Sequence, residues 1–280
     1  MRNIELLLQG KKLLQNSDIP NASLDSELIL SDILKISREK LLINLDAETI
    51  NYNKKKYFQK IKERMKKTPI AYILNKKEFW TTEFYIDDKV LIPRPDTELI
   101  VENALNILPI HSSKKILDIG SGSGCIIISI LKERKLCRGT CLDISKNSIN
   151  VAKFNAKIQQ IENRIRFINS SIDNFLGSKY DLIVSNPPYI KKLSINSLDD
   201  DIRFYEPKIA LDGGIDGLLE INKVIKKSSK LLKKNGKLII EIDNNQVHRV
   251  KKMLLNEKFY VNKLSKDFSG KIRNIVSTKI

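Results

Sequence analysis

Few of the residues that usually announce a special chemistry occur in this 280-residue chain. Three cysteines are too few for a disulfide framework, and none of them pairs at zinc-ligand spacing. Only two histidines, His111 and His248, are present, so no metal site is expected. Eleven glycines and 8 prolines exclude collagen-like and linker-like compositions. No apolar run approaches the roughly 20 residues of a membrane-spanning helix, and the longest, residues 125–131, has the length of a buried strand or a short helix. The N-terminal MRNIELLLQGKK has too short an apolar stretch for a signal peptide and no small-residue cleavage site. A cytoplasmic protein without a membrane partner is the expectation. Charge, by contrast, is plentiful: charged residues are 30% of the chain and the net charge is +17. Lysine is scattered along the whole length, with asparagine prominent among the polar residues and isoleucine among the apolar ones, as an A/T-biased coding sequence would produce. The charge is therefore not read as a dedicated nucleic-acid surface, and no direct nucleic-acid partner is expected.

The chain changes character twice. Residues 1–75 read as helices without strands. Leu6, Leu7, Leu13 and Leu14 recur at helical spacing, Pro20 and Asn21 interrupt, and Ser23 is the expected cap of the next run. A basic amphipathic stretch over residues 53–65 stops at Thr68-Pro69. Residues 76–92 hold Phe79, Trp80, Phe84, Tyr85 and Ile86, which favour strands; residues 81–83 are the expected turn of a β-hairpin linker. From residue 93 to 280, strands and helices alternate. Strands are expected over residues 115–119, 139–144, 165–168, 180–185 and 236–242, and helices over 125–133, 145–158, 217–232 and 246–256. Two short strands close the chain. This order predicts an α/β domain with a mostly parallel sheet, whose ligands bind at the carboxyl ends of the strands.

The first of those strands runs into Asp118-Ile119-Gly120-Ser121-Gly122-Ser123-Gly124. Alternating glycines let the backbone turn sharply and approach a ligand, and the following helix offers free N–H groups. The spacing is G-x-G-x-G rather than the dinucleotide G-x-G-x-x-G, and Asp118 stands two places before the first glycine. A carboxylate there suits an amino group or a sulfonium better than a phosphate. The next strand ends in Asp143, where a carboxylate can bind ribose hydroxyls. Together these features point to S-adenosylmethionine, held by Gly120, Ser121, Gly122, Ser123, Gly124 and Asp143.

The fourth strand ends in Asn186-Pro187-Pro188-Tyr189. Proline after Asn186 pushes that residue towards an extended backbone, and neither proline carries an N–H. The Asn186 side-chain oxygen and the Pro187 carbonyl can then form two acceptors facing one –NH2 group, with Tyr189 stacked on a planar neighbour. Such a pair suits methyl transfer to a nitrogen on an sp² carbon, a poor nucleophile that gains from being held and aimed. Asp96, Glu98 and Glu206 are candidate proton acceptors, and nothing in the sequence distinguishes among them. The NPPY motif is shared by enzymes that methylate adenine in DNA and by enzymes that methylate glutamine in proteins.

Further segments extend the pattern. PIAYIL (residues 69–74), EFW (78–80), LIPRPDTE (91–98) and RFYEPKIALDGGIDGL (203–218), together with the closing stretch around Asp267 and Arg273, occur in order along nearly the whole chain. In these segments the chain resembles the release factor glutamine methyltransferases. The resemblance implies a Rossmann-like seven-stranded S-adenosylmethionine-dependent methyltransferase domain with one antiparallel strand, preceded by a small N-terminal helical bundle that recognises substrate. It implies an enzyme that methylates N5 of the glutamine in the Gly-Gly-Gln tip of bacterial peptide chain release factors; a monomer is the expectation. By the same resemblance Asn186 contacts cofactor and substrate, Pro187, Pro188 and Tyr189 frame the glutamine amide, and Arg94, Pro95 and Asp96 stand near the pocket mouth. The alternatives are a ribosomal protein glutamine methyltransferase and a DNA adenine methyltransferase. Some positions depart from the family pattern. Ser171, followed by Ile172, stands where an acidic residue and an aromatic one commonly flank the adenine. Asn75 replaces the usual glycine after YIL, and the fifth strand ends in Glu241-Ile242-Asp243 where a glycine is more usual.

Overall fold

The computed structural model describes residues 1–280 and divides into two units, Met1–Asn75 with Asp199–Tyr205, and Lys76–Leu198 with Glu206–Ile280.

The first unit is helical: α1 (Asn3–Gln15), α2 (Ala22–Leu34), α3 (Arg38–Ile43), α4 (Asn51–Met65) and α5 (Ile70–Leu74). Leu6, Leu14, Ile29, Leu30, Leu41 and Ile61 close its core around Tyr57, all fully buried. The Tyr57 hydroxyl meets Ser26 Oγ at 2.6 Å, in space left by Gly10, where any Cβ would overlap the phenol. Ser37 caps α3 by accepting from the Lys40 N–H. Ser23 does not cap α2: that helix begins at Ala22 after Asn21, and the Ser23 hydroxyl donates to Glu27 inside it. The short segment Asp199–Tyr205 joins this unit through two side chains. Arg64, itself buried, binds Asp25 at 2.7 Å and Asp201 at 2.9 Å, while the Tyr205 hydroxyl donates to the Lys66 carbonyl. Sequence order placed 199–205 in the second domain; a buried guanidinium needing a second carboxylate draws it to the first.

The second unit opens with an antiparallel hairpin of β1 (Lys76–Phe79) and β2 (Thr82–Tyr85). Its turn is Trp80-Thr81, one residue earlier than expected, with Trp80 out of the strand at φ 56°. After α6 (Glu98–Ile107) come β3 (Lys115–Ile119), α7 (Cys125–Glu133), β4 (Arg138–Asp143), α8 (Lys146–Ile158), β5 (Ile165–Asn169) and β6 (Tyr180–Ser185). The short α9 (Asp200–Tyr205) is the segment already assigned to the helical unit; α10 (Leu219–Leu231), β7 (Leu232–Glu241), α11 (Val247–Asn256), β8 (Phe259–Lys266) and β9 (Ile272–Lys279) complete the chain. The seven strands lie in the order β5-β4-β3-β6-β7-β9-β8, parallel except that β9 runs against both neighbours. This is the mostly parallel seven-stranded architecture expected from the sequence.

Strand β3 explains where a ligand goes. Its neighbours are β4 on one side and β6 on the other, so the chain reverses its direction of winding across β3 and the loops after β3 and β6 part from each other. The three cysteines, Cys125, Cys137 and Cys141, are free and buried in this unit, where they pack as small apolar side chains. No helix is long and apolar enough to cross a membrane.

Candidate active site

A crevice of ≈ 690 Å³ opens at the carboxyl ends of β3, β4, β5 and β6. Gly120 and Gly122 line it from the β3 loop, Asp143 from β4, Ser171, Ile172 and Asp173 from β5, and Asn186, Pro187 and Pro188 from β6.

The glycine loop is built by its own neighbours. Gly120 and Ser121 donate their N–H groups to the Leu142 carbonyl at 2.8 and 3.2 Å. Gly120, Gly122 and Gly124 take φ values of 72°, 53° and 80°, which L side chains rarely adopt. Each Asp143 oxygen accepts one backbone N–H, Oδ2 from Gly122 at 2.9 Å and Oδ1 from Ser145 at 2.8 Å. Burial raises the Asp143 pKa while these two donors oppose the rise. A carboxylate oxygen accepts more than one hydrogen bond, so both retain capacity for ribose hydroxyls. Asn155 of α8 bonds Ser123 and Tyr85 backbone together, so the loop and the hairpin share one anchor. Ser121, Ser123 and Gly124 do not line the crevice. Both serines are buried, and a Cβ on Gly124 would press on Ala152 and Ile128, so this glycine serves the packing of α7 on α8.

Asp118 also differs from expectation. It lies beneath the loop, fully buried, and neither carboxylate oxygen has a hydrogen-bond partner. Burial, with the charge of Asp143 adding to it, pushes its pKa up to about 8. It is a buried carboxyl under the loop rather than an open anion beside it.

At β5 the Ser171 hydroxyl accepts from the Asn174 N–H at 3.3 Å and closes a turn. Asp173 lines the crevice, with its Oδ2 4.0 Å from Lys223.

The β6 wall is held from farther away. Ser185 Oγ donates to the Ile119 carbonyl at 2.7 Å and fixes the end of β6 against β3. The Asn186 Nδ2 donates to Thr97 Oγ1 at 3.1 Å, which commits that end of the amide, and Asn186 lines the crevice. The Tyr189 carbonyl accepts from Gln246 Nε2 at 3.0 Å, and the same Nε2 donates to the Gly217 carbonyl at 2.9 Å. Gly213 and Gly217 of the LDGGIDG loop pack so tightly on Tyr189 that a Cβ at either would overlap its backbone. Tyr189 itself does not reach the crevice. Its ring packs against the core cluster and its hydroxyl points to Glu241 Oε1 at 3.4 Å. Burial and the Glu241 charge hold that hydroxyl far above the usual tyrosine range.

The three candidate proton acceptors are all engaged elsewhere. Glu206, buried, pairs with Arg94 and accepts from the Ile92 N–H, so EPKIALDGG is bound to LIPRPDTE. Asp96 pairs with Arg273 at 3.1 Å, and Glu98 accepts from the Trp80 N–H at 2.8 Å. None of the three lines the crevice, nor do Arg94 and Pro95. Thr97 and Gln246 hold the β6 wall, and the sequence motifs do not mark either: Thr97 stands inside LIPRPDTE, but its contact with Asn186 cannot be read from the sequence.

The residues fit an adenosyl cofactor on two observations. Asp143 keeps free lone pairs at the crevice, and the positive-φ glycines bring backbone, not side chain, to its wall.

Comparison with known proteins agrees in both units. Residues 5–74 match the PrmC N-terminal domain and residues 96–199 the methyltransferase small domain. A release factor glutamine methyltransferase of Clostridium acetobutylicum is 36% identical, covering 100% of this chain and 99% of its own length. One from Clostridium botulinum is 38% identical, covering 98% of each. Among solved structures, a methyltransferase from Pyrococcus furiosus superposes with a TM-score of 0.53 at 15% identity, covering 70% of this chain and 88% of the other, which shows the shared fold.

Proposed function

The chain belongs to the release factor glutamine methyltransferase family, and from that premise we propose that it methylates the side-chain amide nitrogen, N5, of the Gly-Gly-Gln glutamine of bacterial peptide chain release factors, using S-adenosylmethionine. The observation that carries this reading is the orientation of Asn186, whose Nδ2 is taken by Thr97 so that its oxygen is left for the crevice.

When bound, S-adenosylmethionine supplies a methyl group on a positively charged sulfur. Gly120, Gly122 and Asp143 hold it against the ends of β3 and β4. Asn186 Oδ1 and the Pro187 carbonyl accept the two N–H groups of the glutamine amide, because the backbone of residues 187 and 188 has no competing donor. Fixing both hydrogens aims the nitrogen lone pair at the methyl carbon. The amide nitrogen held by Asn186 and Pro187 would take the methyl group that the cofactor supplies, the cofactor departing as the neutral thioether, and would release one N–H proton to water. Orientation supplies most of the acceleration, as for any reactant pair held in near-attack geometry. Tyr189 takes part through its backbone, held by Gln246, rather than by stacking.

The helical unit is read as the part that recognises the body of the release factor, through the basic exposed face of α4 that carries Lys55, Lys56 and Lys62. Charge reversal there is expected to raise KM for release factor and leave cofactor affinity unchanged. Incubation with labelled cofactor and three acceptors, release factor, ribosomal protein and adenine-containing duplex, tests the substrate class. Label on release factor alone supports the proposal; label on either of the others replaces it.

A further inference from the structure

We propose that Ile209, Ile215 and Leu219 form an apolar lip which, on the release-factor reading of the site given above, docks an apolar side chain lying within a few residues of the substrate glutamine and so decides which glutamine is methylated.

The acceptor pair alone does not make that choice. Asn186 Oδ1 and the Pro187 carbonyl read a terminal carboxamide, and every exposed glutamine carries one. The two glycines before the target residue have no side chain to read, although they let the substrate backbone approach closely. Discrimination among glutamines therefore needs side chains beyond the Gly-Gly-Gln triplet and a surface beside the amide to receive them.

Residues 209–219 supply that surface. Their apolar side chains divide between two faces. Leu211 and Leu218 are buried, whereas Ile209 is 59% exposed, Ile215 87% and Leu219 53%. The three exposed residues line the same crevice as Asn186 and Pro187. Single apolar side chains at a surface are ordinary, but three along one edge of a binding crevice mark a contact site. Exposed Lys192 and Lys208 also line the crevice and rim this apolar edge with charge.

The loop that carries Ile215 is tied to the chain just past the NPPY motif. The Gly213 N–H donates to the Ile190 carbonyl at 2.8 Å, and the Lys192 N–H donates to the Gly214 carbonyl at 2.9 Å. Asp212 Oδ1 accepts from the Gly214 N–H at 2.8 Å, which sets the turn at a Gly214 φ of 88°. Asp216 Oδ1 accepts from the Leu218 N–H at 3.1 Å, and its Oδ2 pairs with Arg249. Leu219 belongs to the same turn, since a Cβ on Gly214 would overlap it. Ile215 is thus held outward on a fixed backbone with a set offset from the acceptor pair. A substrate side chain seated on it brings one particular amide to Asn186 and Pro187, and a rigid lip loses little freedom when it is covered. The fold itself gives no reason for isoleucine at a position this exposed, where a polar side chain is tolerated.

The test uses Ile215→Ser, Ile215→Leu and a triple variant with serine at 209, 215 and 219. Release factor is supplied unchanged and in forms where each apolar residue near the glutamine is replaced by serine, one at a time. Methylation kinetics, affinity for S-adenosylhomocysteine and the thermal midpoint are measured for each. Ile215→Ser is expected to raise KM for release factor about 10-fold, the effect of truncating one apolar anchor at an interface. Its kcat and its S-adenosylhomocysteine affinity stay within about twofold, and Ile215→Leu keeps KM within about threefold of the parent, since apolar contact is at stake. One release-factor replacement raises KM with the parent protein and adds little with Ile215→Ser, as two groups that touch each other do. A parental KM in Ile215→Ser and in the triple variant overturns the inference, and so does strict additivity for every release-factor replacement. Weaker S-adenosylhomocysteine binding with KM for release factor unchanged also overturns it and assigns the lip to the cofactor. If the triple variant melts early, the two Ile215 variants decide. A parent protein that leaves release factor unlabelled brings down the functional reading and the lip together; labelling by the parent with parental KM in the serine variants brings down the lip alone.

Discussion

The two walls of the crevice are held in different ways. The β3–β4 wall is made by neighbours: Asp143 reaches Gly122 across 21 residues, and the loop's N–H groups find the Leu142 carbonyl at the end of the adjacent strand. The β6 wall is assembled from distant segments. Asn186 meets Thr97 across 89 residues, the Tyr189 carbonyl meets Gln246 across 57, and Arg94 meets Glu206 across 112. One wall holds backbone against a rigid ligand, so a short motif completes it. The other wall holds one side-chain amide through Thr97 and the backbone after it through Gln246, and both partners come from elsewhere in the chain.

If the walls divide labour in this way, damage to each should give a different kinetic signature. Asn186→Ala is the largest expected effect: kcat falls by about 1000-fold, the upper range for an oriented hydrogen-bonding group at a reacting centre, while S-adenosylhomocysteine affinity falls by far less and the melting temperature holds. Equal loss of cofactor affinity would merge the two walls into one. Next, Gly217→Ala forces a Cβ into the Tyr189 carbonyl at a φ of 75°. It is expected to lower kcat about 100-fold through displacement of the Asn-Pro-Pro backbone, as small misplacements of reacting groups do, with a drop in thermal midpoint and little change in cofactor affinity.

Asp143→Asn acts on the other wall. An asparagine can accept at only one of the two backbone N–H groups, and hydrogen bonds to a charged acceptor are worth about 1.5–3 kcal/mol each. Titration with S-adenosylhomocysteine is expected to show affinity about 10- to 100-fold weaker, with kcat at saturating cofactor near normal. A fall in kcat with affinity intact would invert the assignment.

The smallest effect lies under the β3 loop. The Asp118 carboxyl has a folded pKa near 8 against its ordinary 3.8 because burial disfavours the charged form. A raised folded value means the stabilising contribution is complete below about pH 4 and is lost as pH climbs through about 8. The parent should therefore melt at a lower temperature at about pH 8.5 than at about pH 5.5, and Asp118→Asn should reduce that difference without touching kcat. Glu241, pushed up to about 7 by burial, contributes in the same direction, so the reduction is partial. A variant whose melting retains the full pH dependence would show that Asp118 is charged in the native state.

What was legible in the sequence follows the same division. The glycine loop, Asp143 and the alternation of strands with helices were readable because local periodicity and short spacings encode them. β3 and β6 matched their expected bounds because each is a buried run ended by a turn residue. The roles of Ser121, Ser123 and Tyr189 were not, because a motif gives position along the chain and not the face a side chain turns to. Trp80 favours strands, yet two cross-paired strands of four residues leave it in the turn. The 199–205 segment followed a buried arginine rather than its sequence neighbours. Thr97 meets Asn186, and Glu241 the Tyr189 hydroxyl, through hydrogen bonds that only the fold brings within reach.

The account stands on Asn186 and Pro187 gripping a carboxamide. Tandem mass spectrometry of release factor after incubation with cofactor and either the parent protein or Asn186→Ala tests that most plainly. The account predicts one methyl group on one glutamine side-chain nitrogen with the parent and none with the variant. A methyl group on another type of residue, or equal modification by the variant, would contradict it.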